Sequence, residues 1–428
     1  YGINAFQTAV VAKTAAELEK AITAGMAENE RMAKFGFKQS ELDVAIKNIA
    51  AGNEKSFKEK DKTTSNAFVQ KYLDNFLTGK SMPSIEYTYN EVKKHLANIT
   101  LAEVNALAKT LIPKENRIVI IQAPDKEKDA LPSEAQLLAA LNNASNNITA
   151  YVDDAITAPL LEKKPIAGKI IAETKNEKVG TTQLTLSNGV KVVLKPTDFK
   201  NDQIIFSSFG KGGTSIASND DFLSAENVSL ITANGVGAFN PSQLNKLLAG
   251  NTARASSYIS SEYQGYSGST APKDLETAFQ LIYAYATMPR KDAVLFNKNI
   301  SDYKAQMKNK NASPQNVFAD TSLAVMSNYH KRGMPINGSD LDKISLDKAL
   351  AFYQQRFEDA SGQTFVFVGN FEVEKIKPLL EMYLGSLPAT NKNETWKDNG
   401  VRPPKGIVVK NGVAHMPEEL YFRRAHIA

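Results

Sequence analysis

Asn188-Gly189 stands between two alternating apolar runs, in Thr185-Leu-Ser-Asn-Gly-Val-Lys-Val-Val-Leu-Lys195, and this fixes more about the fold than any other stretch. An Asn-Gly pair so flanked predicts a β-hairpin, because both central residues of a type I′ turn need φ > 0. The run Ile204 to Gly213 follows after a short gap, so a sheet opens here. Later, Phe365-Val-Phe-Val-Gly369 adds a further strand.

Around this sheet the chain reads as helical. Thr14-Ala-Ala-Glu17 has the form of a capping box, for a helix carrying Leu18, Ile22, Met26 and Met32 that Gly36 stops. A second helix starts near Gln39 with the stripe Leu42, Ile46, Ile49. A third, from about Ser65 to Thr78, places Phe68, Tyr72 and Phe76 at i+4 steps, and each stripe is expected to face a core. Thr100 to Glu103 is another capping box, and Arg117-Ile-Val-Ile-Ile121 is expected to be a buried strand. After the hairpin come a short helix near Ser242, Ser- and Tyr-rich strands from Ala253 to Gly268, and a helix from Leu275 to Tyr285. Asp292 and Ser345 cap two more helices, and Ile376 to Leu384 forms the last. The order helix then strand occurs twice, which suggests a repeated α+β unit of roughly 200 residues.

With 428 residues the chain exceeds one ordinary core, and 42% apolar with 23% charged residues is the balance of a globular protein. The net charge of +5 is spread along the chain without the clustered Lys, Arg and aromatics of a nucleic-acid groove, so no nucleic-acid partner is expected. The absence of cysteine removes disulfides, thiolate metal sites and a cysteine nucleophile. No run reaches the ~18 apolar residues of a membrane span. The opening Tyr1-Gly-Ile-Asn-Ala-Phe has no Met and reads as a strand already under way, so the chain is expected to be a piece of something longer.

Candidate chemistry is sparse. A zinc site of the H-x-x-E-H type needs two imidazoles one helical turn apart, yet the only histidines are His95, His330, His415 and His426, none spaced by four. His415-Met-Pro-Glu-Glu419 imitates four of the five positions, but ends in Glu and contains a helix-disfavouring proline. Gly265-Tyr-Ser-Gly-Ser269 lacks the last glycine of a nucleophile elbow, and Gly210-Lys-Gly-Gly-Thr214 resembles a phosphate loop without matching it. No catalytic and no metal-binding residue is expected.

Several segments nevertheless share an order with one family. Leu186-Ser-Asn-Gly-Val-Lys-Val-Val-Leu194, Gly212-Gly213, Asp274 to Phe279 with Met288-Pro289 and Phe296, Phe367-Val-Gly-Asn-Phe371, and Leu380 to Pro388 resemble consecutive signatures of an insulinase/pitrilysin-like zinc metallopeptidase domain. The resemblance implies an α+β fold of repeated units, each a mostly antiparallel sheet packed against helices. It implies that 1–124 is the later half of a second domain, 125–180 a linker, 181–390 a third, zinc-free domain, and 391–428 a linker with the first strand of a fourth. Leu223-Ser-Ala-Glu-Asn-Val-Ser-Leu-Ile231 stands where the family's zinc helix would be. In one register Leu223 and Asn227 replace both histidines and leave only Glu226.

The implied function is the non-catalytic portion of a zinc metalloendopeptidase, forming chamber wall and substrate-binding surface, with zinc held by an upstream domain. A scaffold or partner subunit of the same fold is the alternative. The implied partners are a peptide substrate and the other domains of a parent polypeptide or a partner subunit. The implied location is the periplasm or cell envelope, with the cytoplasm as alternative. Strand addition at a sheet edge would bind peptide with little demand on side-chain identity, and Gly212-Gly213 is the expected edge.

Overall fold

The computed structural model describes residues 6–112, 117–123, 125–152, 156–308 and 310–411. They fall into two compact units, Tyr1–Phe57 with Gln70–Ile156, and Lys58–Val69 with Thr157–Ala428.

The earlier helices are α1 (Leu18–Phe35), α2 (Gln39–Lys58), α3 (Ser65–Thr78), α4 (Ile85–Leu96), α5 (Leu101–Leu111) and α6 (Glu134–Asn143). α1 packs against α5 and α6 in the first unit. Helix positions follow the periodicity, and the Thr100/Glu103 capping box forms with both reciprocal hydrogen bonds. Thr14 makes no such cap; a 3-10 turn over Ala15–Glu17 precedes α1 instead. Two expectations of burial fail. Phe68, Tyr72 and Phe76 are 38%, 60% and 85% exposed, and no residue of α3 is buried. Arg117 to Ile121 is neither a strand nor buried, with Ile118 87% exposed. A β-branched run becomes a strand only when another strand satisfies its backbone, and the described residues of this unit hold none. The sheet of the expected earlier repeat is therefore not among them.

The second unit holds β1 (Ile170–Asn176), β2 (Thr181–Leu186), β3 (Lys191–Pro196), β4 (Ile204–Lys211), β5 (Arg254–Ile259), β6 (Tyr263–Thr270) and β7 (Thr364–Gly369). Their order is β1-β2-β3-β7-β4-β6-β5, antiparallel except for the β3–β7 pair, as the expected α+β class requires. β1 lies inside the segment expected to be a linker. It is exposed along nearly its whole length, so it carries no alternation to read. Helices α7 (Phe222–Glu226), α8 (Ser229–Thr232) and α9 (Pro241–Leu247) follow β4. Next come α10 (Leu275–Thr287), α11 (Ala293–Met307), α12 (Pro314–Met326), α13 (Leu346–Phe357) and α14 (Val373–Leu379), the last running into a π-type turn over Leu380–Leu384. Asp292 and Ser345 cap α11 and α13 as expected.

The hairpin joins β2 and β3, but not through a type I′ turn. Gly189 has φ 86 while Asn188 does not have positive φ, and the hydrogen bonds Gly189 N to Leu186 O and Leu186 N to Val190 O close a three-residue loop. The Asn188 side chain is free to donate to the carbonyls of Leu384 and Leu387, which ties the hairpin to the chain beyond α14.

Among the described residues one face of the sheet is covered and the other is largely open. β4 alternates strictly, with Ile204, Phe206 and Ser208 buried and Ile205, Ser207 and Phe209 on the open side. Under the covered face Phe206 and Phe279 flank Phe367 with ring centroids 5.6 and 5.2 Å away, and Tyr266 stacks on Phe365. α10 and α13 pack over this layer. Residues 391–411 form no strand. The rest of the expected fourth-domain segment, 412–428, lies outside the described residues, and with it His415, Glu419 and His426.

Candidate functional site

The stretch expected to replace a zinc helix is broken in two. α7 ends at Glu226, and Asn227 at its C-terminus turns its side-chain amide back to the Leu223 carbonyl at 2.8 Å. α8 begins only at Ser229, so Asn227 caps a five-residue helix and does not lie within a continuous one. Leu223 packs against a buried cluster of Leu230, Phe296, Leu341 and Ile344.

Glu226 accepts a hydrogen bond from Thr214 Oγ1 and faces a cation already in place. Arg332 lies 4.6 Å over the Phe222 ring and donates to Asn219 Oδ1 and to the carbonyls of Thr214, Ser215 and Ala217. Burial lowers the Arg332 pKa, and Glu226 opposes that shift. One carboxylate beside a guanidinium does not fit Zn²⁺, which needs three or four N, S or O ligands and repels a neighbouring positive charge. Among the described residues no group of three or more His, Asp or Glu could hold a metal ion. A cleft of about 410 Å³ opens beside this pair, lined in part by Leu223, Met307, Met334 and Ile336. The remaining described histidines serve locally: His95 pairs with Glu91 along α4, and His330 Nδ1 accepts from the Arg332 amide.

Gly212 and Gly213 are not a free edge. β4 lies between β7 and β6, and both glycines are buried just past its end. Gly212 N donates to Glu262 O, Gly213 N to Gln264 Oε1, and Thr214 N to Ser260 O. The expectation that Gly212 and Gly213 form a free edge for strand addition is corrected by this pairing. What the glycines supply is positive φ, 128 and 57, and room for the β5–β6 turn and for a side chain from α13.

Among the described residues the free edges are β1 and β5, each paired on one side only. β1 carries charge along its edge, with Glu173 in an ion pair to Lys377, a feature that discourages further pairing. β5, Arg-Ala-Ser-Ser-Tyr-Ile, has one charge, at its start. It is held from the covered side: Ser257 Oγ donates to Tyr353 Oη, which itself donates to the Tyr285 carbonyl. Burial raises the Tyr353 pKa and keeps this phenol a donor. Next to β5 the open face presents Tyr258, Tyr263, Phe209 and Ile205, the last two 47% and 52% exposed. Sequence reading missed this edge, although the charge-free run from Ala255 to Ser261 was its available sign.

Residues 343–418 match the family described as the peptidase M16 inactive domain. The chain is 27% identical over 373 residues to a zinc protease PQQL-like protein of Arabidopsis thaliana, covering 84% of this chain and 35% of the relative. It is 24% identical over 392 residues to the probable zinc protease PqqL of Haemophilus influenzae, covering 88% of this chain and 41% of the relative. The crystal structure of the periplasmic protease PqqL from Escherichia coli superposes with a TM-score of 0.53 at 22% identity, over 90% of this chain and 43% of that one. The chain thus spans roughly two fifths of the length of the proteins it matches. The chain is thus similar to proteins described as zinc proteases, and its residues 343–418 match the M16 inactive domain.

Proposed function

We propose that this chain is the non-catalytic portion of a zinc-dependent peptidase and supplies chamber wall and peptide-binding surface. The observation that supports this reading is a sheet with one open, partly aromatic face and one free edge charged only at its start, joined to a broken helix that keeps a single carboxylate, Glu226. The free backbone of β5 pairs with an extended peptide, and Tyr258, Phe209 and Tyr263 flank the added strand. Hydrolysis and zinc belong to other domains, of the same polypeptide or of a partner subunit. The periplasm is the proposed location, by analogy with the periplasmic protease PqqL.

The test is fluorescence anisotropy with labelled extended peptides, alongside a cleavage assay with and without chelator. Binding without cleavage is expected. Proline at 255 or at 256 removes an N–H on alternate sides of β5, and the substitution that removes the outward one is expected to weaken binding roughly tenfold. Chelator-sensitive cleavage by this chain, or equal binding by both proline variants and the unaltered chain, would refute the proposal.

A further inference from the structure

Helix α13 buries a charge. Ala349, Phe352, Tyr353, Arg356 and Phe357 form its buried stripe, so an arginine occupies a position the helical period gives to apolar residues. Arg356 is 2% exposed, and its guanidinium lies 5.5 Å over the Phe352 ring. It presses on the corner after β4 so closely that a Cβ on Gly212 would stand 2.5 Å from Nη1.

Its carboxylate partner comes from outside the core. Glu394 engages Nη1 with Oε2 and Nη2 with Oε1, a bidentate pair. Arg356 Nε has no partner. Glu394 belongs to a segment with no helix or strand in which residues 390–398 are all exposed. That segment is otherwise held by polar contacts. Lys397 N donates to Ser215 Oγ and Asn399 Nδ2 to Ser215 O, both at 2.9 Å, and the amides of Thr390 and Lys392 donate to the Asp359 carboxylate.

A buried guanidinium needs an anionic partner. Trp396 is the one large apolar side chain of the segment and stays 43% exposed, so the polar contacts at Arg356, Ser215 and Asp359 supply much of what keeps that partner in place. We propose that Arg356 anchors a carboxylate-binding site that residues 390–399 fill in the manner of a ligand, and that an extended peptide presenting a glutamate can take their place. Three contacts define the recognised peptide: a glutamate for Arg356, a backbone N–H three residues later for Ser215 Oγ, and a side-chain amide five residues later for the Ser215 carbonyl. The site is built by α13, the corner after β4 and the 390–399 segment, and is separate from the β5 edge.

The experiment uses the full chain with Glu394→Ala, which empties the site of its own carboxylate. Acetate at fixed ionic strength is expected to raise the melting temperature of Glu394→Ala, with chloride as reference, and to leave the unaltered chain unmoved. A labelled peptide of sequence 390–400 is expected to bind Glu394→Ala at least roughly tenfold more tightly than the unaltered chain, and to lose that affinity when its glutamate becomes glutamine. If Glu394→Ala fails to fold, Glu394→Gln keeps the shape of the contact without its charge and takes the same peptide assay. A folded variant that responds to neither acetate nor peptide would overturn the proposal, leaving a structural ion pair only. Equal peptide binding by the variant and the unaltered chain would also overturn it. Proline at 255 or 256 is expected to leave the acetate response intact, which separates this site from peptide binding at β5.

Discussion

Gly212→Ala tests the corner after β4 more sharply than any core truncation. The residue has φ 128, a conformation that side-chain-bearing residues rarely adopt, and the added methyl would meet Arg356 Nη1 at 2.5 Å and Gln264 Oε1 at 3.3 Å. Backbone strain of this kind costs about 1–3 kcal/mol. Displacing a buried guanidinium from its carboxylate adds to that, up to the ~3–5 kcal/mol of a broken buried pair. The backbone and the segment carrying Glu394 relax part of this, so a net cost of about 3–5 kcal/mol is expected, which for a unit of this size lowers the melting temperature by roughly 10 °C. Gly338→Ala is the control: nothing lies within 4 Å of its added Cβ and its φ is not positive, so its effect should stay within ~0.5 kcal/mol. The assay is thermal and urea unfolding of both variants, repeated in the Glu394→Ala background. There Gly212→Ala should cost less, because part of its effect is the loss of the Arg356–Glu394 contact. A Gly212→Ala melt that coincides with the control would refute the close packing of this corner.

Tyr353→Phe should destabilise by about 1–2 kcal/mol in urea unfolding, because it leaves the half-buried Tyr285 carbonyl without its donor and removes the acceptor of Ser257. Phe279→Ala, at a ring with no exposure set between Phe367 and Tyr383, should cost about 3–5 kcal/mol in the same assay. Burial pushes the Asp359 pKa up, but hydrogen bonds from Ser361, Lys392 and Thr390 outweigh it and leave the carboxyl below its usual range. A depressed carboxylate pKa contributes stability that is present above the unfolded value and lost as pH falls through the folded one. Hydrogen exchange at the Thr390 and Lys392 amides should therefore lose protection on strong acidification, and Asp359→Asn should reduce that protection already at neutral pH.

Local chemistry carried much of the fold into the sequence. Asp292, Ser345 and Thr100 cap the helices they were expected to cap, and the Asn188-Gly189 hairpin forms, since these signals act within a few residues of themselves. The turn type differs because Asn188 is recruited by carbonyls nearly two hundred residues away. Phe68, Tyr72 and Phe76 show the same limit: period gives the helix, while the surface that would cover its stripe is a separate fact. β1 was missed because an exposed edge strand has no buried alternate positions. At the candidate site the loss of imidazoles was plain in Leu223 and Asn227. The arginine that faces Glu226 was not, because Arg332 comes from far along the chain. Gly212 and Gly213 were expected to form a free edge, and the groups that pack against them instead, Arg356 and the Ser260–Glu262 backbone, were invisible to local reading.

Metal content of the purified full chain, by elemental analysis after dialysis against metal-free buffer without chelator, tests the central claim most directly. The lone Glu226 beside Arg332 predicts zinc well below about 0.1 atom per chain, because three or more ligands are needed to retain it. Close to one zinc per chain, lost in Glu226→Gln, would contradict it.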